Sequence, residues 1–237
     1  MQYITNYITL KSYCDFIIPF ISIPIIDITL CRLFGTAARW FQLHSAINGI
    51  ITYIIWNDVY LLVNDPIKNV KSMISIMELY YIVFLHMYHF LFFKNTKMDY
   101  FHHIIFVGFG TIPIYYLYDK NIIRLTTFVG CGLPGCIEYL TLTFVKNNKL
   151  SQINQKRIMT YVYNYFRYPL SIYSISMIYI IHILGYTNNI TNLSIVYITL
   201  LIFFNGGFYN KITIENYVLH KYKNNIKGIQ VVTKPTN

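Results

Sequence analysis

The stretch KMDYFHHIIFVGFG, residues 97–110, places an acidic residue and two adjacent histidines at the start of an apolar run. Similar apolar runs recur along the whole chain: 55% of its 237 residues are hydrophobic and 12% are charged. A soluble domain typically carries about 25% charged residues. Because the deficit extends over the full length, it predicts an integral membrane protein without a separate soluble domain.

Windows of about 20 apolar residues, the length needed to cross the hydrocarbon core as a helix, predict about seven spans. They cover approximately residues 14–34, 39–62, 74–93, 101–118, 123–144, 160–184 and 193–210. The predicted fold is therefore all-α, a multi-pass transmembrane helix bundle. Its parts are an N-terminal segment with the first span (1–38), a transmembrane domain (39–210) and a basic tail (211–237).

The first span contains Pro19 and Pro24, which predict a kink, and Asp27, which needs a polar neighbour inside the membrane. The other end of the chain, the C-terminal tail, is predicted to be cytosolic, because cytosolic loops are enriched in lysine and arginine. This orientation puts thirteen basic residues on the cytosolic side and five on the other. The sequons at Asn189 and Asn192 fall in a loop on the non-cytosolic side, in agreement with it.

The net charge of +10 does not predict a nucleic-acid partner, since the basic residues lie between apolar runs rather than along one face. Nor is a metal or cofactor predicted. The four cysteines form no CxxC pair. The histidines at 86, 89, 102 and 103 are similar to the clusters of membrane di-iron desaturases, but those need around eight histidines and this chain has seven.

Five polar side chains are expected in one layer near the cytosolic face. An ionisable group at the centre of a span costs about 2.5–3.5 kcal/mol, so each should have a partner. Hairpin geometry places His89 level with His103, and Glu138 level with Arg167, while His44 lies just inside the second span. The Glu138–Arg167 pair is expected to approach directly or through water, in either a structural or a functional role.

Local spacing adds further expectations. Asp99 and His103 are four residues apart on one helical face, so the carboxylate is expected to orient the imidazole. His102 lies about 100° round the helix and should meet a different neighbour. The alternative for both histidines is that their rings rest at the membrane interface. The segment GCGLPGCIEYL, residues 130–140, predicts a helix break that lines a cavity or packs closely against a neighbouring helix.

Four motifs resemble the TLC-domain family of membrane proteins, which includes the ceramide synthases. They are RWFQLHSAING (39–49), MDYFHHI (98–104), GLPGCIEYLTLTFVK (132–146) and YNYFRYP (163–169). The resemblance covers over half of the chain. It implies a bundle of transmembrane helices, usually in the endoplasmic reticulum, that acts on or around lipids.

The same resemblance bears on catalysis. In ceramide synthases paired histidines and two downstream aspartates are tied to N-acylation of a sphingoid base by acyl-CoA. His102 and His103 match the histidines, but Gly135 stands at the first acidic place and Glu138 at the second. We therefore expect a protein of lipid homeostasis that binds a membrane lipid, with His44, His89 and Arg167 among the binding residues. The alternative is an acyl-CoA-dependent acyltransferase, in which His102 or His103 acts as general base with Asp99 or Glu138 in support.

Overall fold

The computed structural model describes residues 2–71, 73, 75–118, 121–187 and 190–232, with side chains between residues 11 and 223 of those ranges. All regular secondary structure in this described part is helical. The elements are α1 (Gln2–Phe34), α2 (Arg39–Asn64), α3 (Pro66–Asn69), α4 (Met77–Phe92), α5 (Lys97–Phe101), π1 (His102–Thr111), α6 (Ile112–Leu117), α7 (Ile122–Thr127), π2 (Phe128–Gly132), α8 (Leu133–Lys146), α9 (Gln152–Val162), π3 (Tyr163–Arg167), α10 (Tyr168–Ile183) and α11 (Asn192–Val232).

Four helices in the described ranges are long and apolar enough to cross a membrane. They cover residues 11–34, 39–64, 122–146 and 192–223. The chain therefore has the character of an integral membrane protein, whereas about seven spans stays a prediction. Among the shorter elements, α4 has 16 residues and measures roughly 24 Å, less than the ~30 Å hydrocarbon core.

The helix α2 lies at the centre of the bundle and packs against α1, α4, α7 and α8. Its buried face repeats every three to four residues, as an α-helix requires. This face consists of Leu43, Ile47, Ile51, Ile55, Val59 and Leu62. The outer surfaces of the helices are rich in exposed apolar side chains, for which Tyr53, 85% exposed, is an example. A helix bundle that is apolar both in its core and on its outer surface is the pattern expected in lipid.

Asp27 has the polar neighbours that its position in α1 demanded. Its carboxylate accepts hydrogen bonds from Arg39 at the start of α2 and from Tyr88 of α4, the latter at 2.8 Å. This network ties α1, α2 and α4 together at one end of the bundle. The helix α1 itself runs through Pro19 and Pro24 from Gln2 to Phe34.

A second charged network lies at the opposite end. Arg124 donates to Glu78 at 2.7 Å and to the Ser75 carbonyl at 2.6 Å, and it forms an ion pair with Asp58. The Glu78 side chain is fully buried and that of Arg124 is 12% exposed. Arg124 therefore joins α2, α4 and α7.

Each π-helical segment ends two residues before a proline: π1 before Pro113, π2 before Pro134 and π3 before Pro169. Proline lacks the N–H that would bond the carbonyl four residues earlier, and its ring clashes with that carbonyl. Widening the helix to bonds between residues five apart relieves the clash, as at Leu133, whose N–H bonds the Phe128 carbonyl. The helices therefore continue past these prolines with an altered register.

Candidate functional site

A cavity of about 290 Å³ runs along the bundle between α2, α4, the three π segments and α11. Its lining on α5–π1–α6 extends from Met98 to Tyr115, roughly 20–25 Å along the helix axis. At one end the lining is polar and includes the histidine cluster described below. The remainder is lined largely by apolar side chains such as Ile82, Val107 and Ile114. Met98 lines the polar end and is 48% exposed, so the cavity reaches the surface there.

The histidine cluster consists of five residues: His44, His86, His89, His102 and His103. The ring centroids of His103 and His89 are 5.0 Å apart, and His103 lies equally close to His86. His44 lies 5.9 Å from both His86 and His89, and His102 lies 5.3 Å from His86. The expected proximity of His103 to His89 is therefore present in the structure. Among the described residues, no group of three or more His, Cys, Asp or Glu side chains is arranged to hold a metal ion.

Hydrogen bonds fix the orientation of His102 and His86. His86 Nδ1 lies 2.6 Å from the Ile82 carbonyl, an acceptor, so this nitrogen carries the proton in a neutral ring. His86 Nε2 must then accept, and its neighbour at 3.2 Å is His102 Nε2, which donates. His102 Nδ1 in turn accepts from the Tyr209 hydroxyl at 2.6 Å. His102 bonds Tyr209 whereas His103 packs against His89, as their different directions predicted, but both rings also contact His86 and both line the cavity.

Asp99 does not orient His103 as the four-residue spacing predicted. Its carboxylate accepts from the Thr96 backbone N–H and hydroxyl, both at 2.7 Å, and completes a capping box at the start of α5. A carboxylate three residues after a threonine N-cap has this local alternative, which is a common one. Within the described part of the chain His103 makes no hydrogen bond, and Asp99 contributes to the site as part of the cavity wall.

Trp40 covers the outer side of the cluster. Its ring centroid lies 3.3 Å from that of His89 and 3.5 Å from that of His44. His44 Nε2 and His89 Nδ1 are buried and have no hydrogen-bond partner in the described structure. Since a buried polar atom without a partner is costly, His44 Nε2, on a residue that lines the cavity, is available to a bound ligand.

Among the described side chains Glu138 and Arg167 form no direct ion pair, and their expected approach through water stays a prediction. Glu138 accepts a 2.6 Å hydrogen bond from the Tyr163 hydroxyl. The Arg167 guanidinium lies over the Tyr163 ring at 4.6 Å and over the Tyr209 ring at 4.9 Å. Tyr163 therefore separates the two charges and contacts both.

The glycine- and proline-rich segment lines the cavity, which is one of the two alternatives that its composition left open. The Gly130 carbonyl lies four residues before Pro134, which has no N–H to offer it. Arg167 Nη2 donates to this carbonyl at 2.7 Å and to Asn205 Oδ1 at 2.9 Å. The close-packing alternative is also present, since a Cβ atom at Gly135 would lie 2.6 Å from Asn48 Nδ2.

The cavity-lining residues that were missing from the predicted site include four with polar side chains near the histidines or Arg167: His86, Tyr163, Asn205 and Tyr209. Two had a sequence signal, because His86 shares a helical face with His89 and Tyr163 lies one turn before Arg167. Asn205 and Tyr209 had no such signal, because both lie in α11, far along the chain from their partners. Tyr209, for example, is 107 residues from His102.

Together these contacts describe a membrane-embedded cavity whose polar end can form hydrogen bonds and whose remaining wall is largely apolar. Comparison with family models, with curated proteins and with solved structures finds no match to this chain.

Proposed function

We propose that this chain is a seven-span, TLC-like membrane protein that acts in lipid homeostasis by holding a single lipid chain in the cavity. The observation that carries the proposal is the change along the cavity wall, from histidines and charged side chains at one end to largely apolar side chains over the rest. Each methylene group moved from water into such a wall contributes about 0.8 kcal/mol. The polar end would receive the headgroup, where His44 offers an unpartnered nitrogen.

We place the polar end on the cytosolic side of an endoplasmic reticulum-type membrane. The support is the excess of basic residues on that side, together with the resemblance of the motifs in spans two, four, five and six to the TLC family. In this orientation α1 ends on the cytosolic side and the tail after residue 210 is cytosolic.

Filling the cavity tests the proposal. Gly130 lines the cavity, and a Cβ atom there would have no neighbour within 4 Å. The leucine side chain of Gly130→Leu should therefore occupy part of the cavity without a backbone clash. Gly207 is equally unobstructed but does not line the cavity, which makes Gly207→Leu a matched control. Mass spectrometry of lipids that co-purify with the folded protein should show a bound single-chain species in wild type and Gly207→Leu and its loss in Gly130→Leu. Equal lipid retention in all three proteins would refute binding in this cavity.

Acyl transfer is a second candidate function, favoured by the free imidazole of His103 on the cavity wall. As general base it would take a proton from a lipid amine or hydroxyl while that group attacks the thioester of acyl-CoA. An amide or ester bond forms, the carbon–sulfur bond breaks, and the proton passes to the departing thiolate. Against this candidate, Gly135 stands where the synthases carry an acid, and Asn48 leaves no room there for a larger side chain.

Lipidomics of membranes that contain the expressed protein separates the two candidates. Under the binding function, His103→Ala weakens lipid retention and changes no product. Under the transfer function, a new amide or ester present with wild type disappears in the His102→Ala/His103→Ala double variant.

A further inference from the structure

Arg167 is a buried cation whose hydrogen-bonding capacity is mostly unused. The residue is 5% exposed and lines the cavity. A guanidinium has five N–H donors, and Nη2 uses its two on the Gly130 carbonyl and Asn205 Oδ1. Nε is buried without a partner. Within the described part of the chain the hydrogen bonds of the guanidinium involve Nη2 alone, so Nη1 is also free to bond a group in the cavity. Three donors of a buried positive charge are therefore left without an acceptor.

No carboxylate neutralises this charge among the described side chains. Both partners of Nη2 are neutral oxygens, and the guanidinium faces are covered by the rings of Tyr163 and Tyr209. The acidic groups of the cavity already have donors, because Asp99 caps α5 and Glu138 accepts from Tyr163. At the polar end of the cavity, Arg167 therefore lacks hydrogen-bond acceptors, whereas the two carboxylates already have donors.

We propose that the occupant of the cavity is a single-chain amphiphile whose headgroup carries an anionic oxygen, a carboxylate or a phosphate monoester, that binds Arg167. The inference rests on the proposed function and specifies its ligand class. An anionic oxygen at the guanidinium forms short, charge-assisted hydrogen bonds and neutralises a cation that the protein leaves unpaired. The unpartnered Nε2 of His44 supplies a further polar contact at the same end.

A headgroup series on the wild-type full chain in phosphatidylcholine nanodiscs tests the ligand class without any variant. The probes are radiolabelled palmitate, 1-palmitoyl-lysophosphatidate, hexadecanol and hexadecylamine, with empty nanodiscs subtracted. At least one of the two anions should bind about tenfold or more tightly than hexadecanol, the effect of one hydrogen bond to a charged group. Whichever anion binds identifies the carboxylate or the phosphate as the source.

Variants then assign the effect to Arg167. Arg167→Gln should abolish the preference for the anion, and Arg167→Lys should retain part of it. Arg157→Gln removes a positive charge from an exposed position of the preceding helix and should retain it fully. Equal binding of hexadecanol and both anions, or stronger binding of hexadecylamine, would overturn the anionic headgroup and leave the lipid-binding function standing. Failure of all four probes to bind wild type would instead refute the proposed function itself.

Discussion

The buried ion pair between Arg124 and Glu78 provides the sharpest stability prediction. Replacing Arg124 by methionine leaves the fully buried Glu78 carboxylate with one remaining side-chain donor, the Tyr115 hydroxyl at 3.5 Å. Breaking a buried pair in this way typically costs about 3–5 kcal/mol, because a lone charge stays in a low-dielectric site. Removing both charges in Arg124→Met/Glu78→Met should recover at least half of that loss. Asp58, 27% exposed, can then turn toward water.

The free energy of unfolding is measured by equilibrium titration with sodium dodecyl sulfate in mixed micelles, followed by tryptophan fluorescence. Lys211→Met is the control, since Lys211 and Glu215 form an exposed pair one helical turn apart. Such a pair contributes about 0.3–0.5 kcal/mol, so this variant should unfold almost as wild type does. If the double variant is no more stable than Arg124→Met, the unpaired Glu78 is not the source of the loss and the reasoning fails.

Three further predictions can be checked independently. A tag after Lys211 should be digested by protease added to sealed microsomes, because the basic tail is expected to be cytosolic; a protected tag would reverse the orientation. Tyr209→Phe removes the donor to His102 and should lower the free energy of unfolding by about 0.5–1.5 kcal/mol in the same titration; an unchanged value would contradict the bond. Asp27→Asn should cost about 1.5–3 kcal/mol by weakening a charge-assisted bond to Arg39, and an Arg39→Gln background should reduce this cost.

Position along the helix axes was the property that the sequence specified best. The hairpin turn at residues 93–96 places His89 and His103 at the same level, and their rings do lie together. The apolar windows also predicted the all-helical architecture, because hydrophobicity along the chain reports burial in lipid directly. Quantities set by distance along a helix were therefore accessible from counting residues.

Direction around the helix axis was much less predictable. Glu138 and Arg167 were expected at one level, and in the structure Tyr163 contacts both side chains while no direct ion pair joins them among the described residues. Arg167 ends a π-helical segment, in which the angle per residue differs from the 100° of an α-helix. The predicted contact between Asp99 and His103 was wrong for a different reason, because the local capping bond from Thr96 to Asp99 competes with it. Long-range partners such as Tyr209 leave no trace in local spacing.

The prolines that follow the π segments separate conformational stability from function at this site. Pro134→Ala would restore the N–H that an α-helix requires and should make the helix itself more stable. The Gly130 carbonyl would then return to a bond within its own helix and release Arg167, which holds it at 2.7 Å. We expect Pro134→Ala to have a higher free energy of unfolding than wild type and yet to bind its ligand more weakly. Stabilising substitutions chosen by helix propensity alone would thus select against the cavity that gives the protein its proposed role.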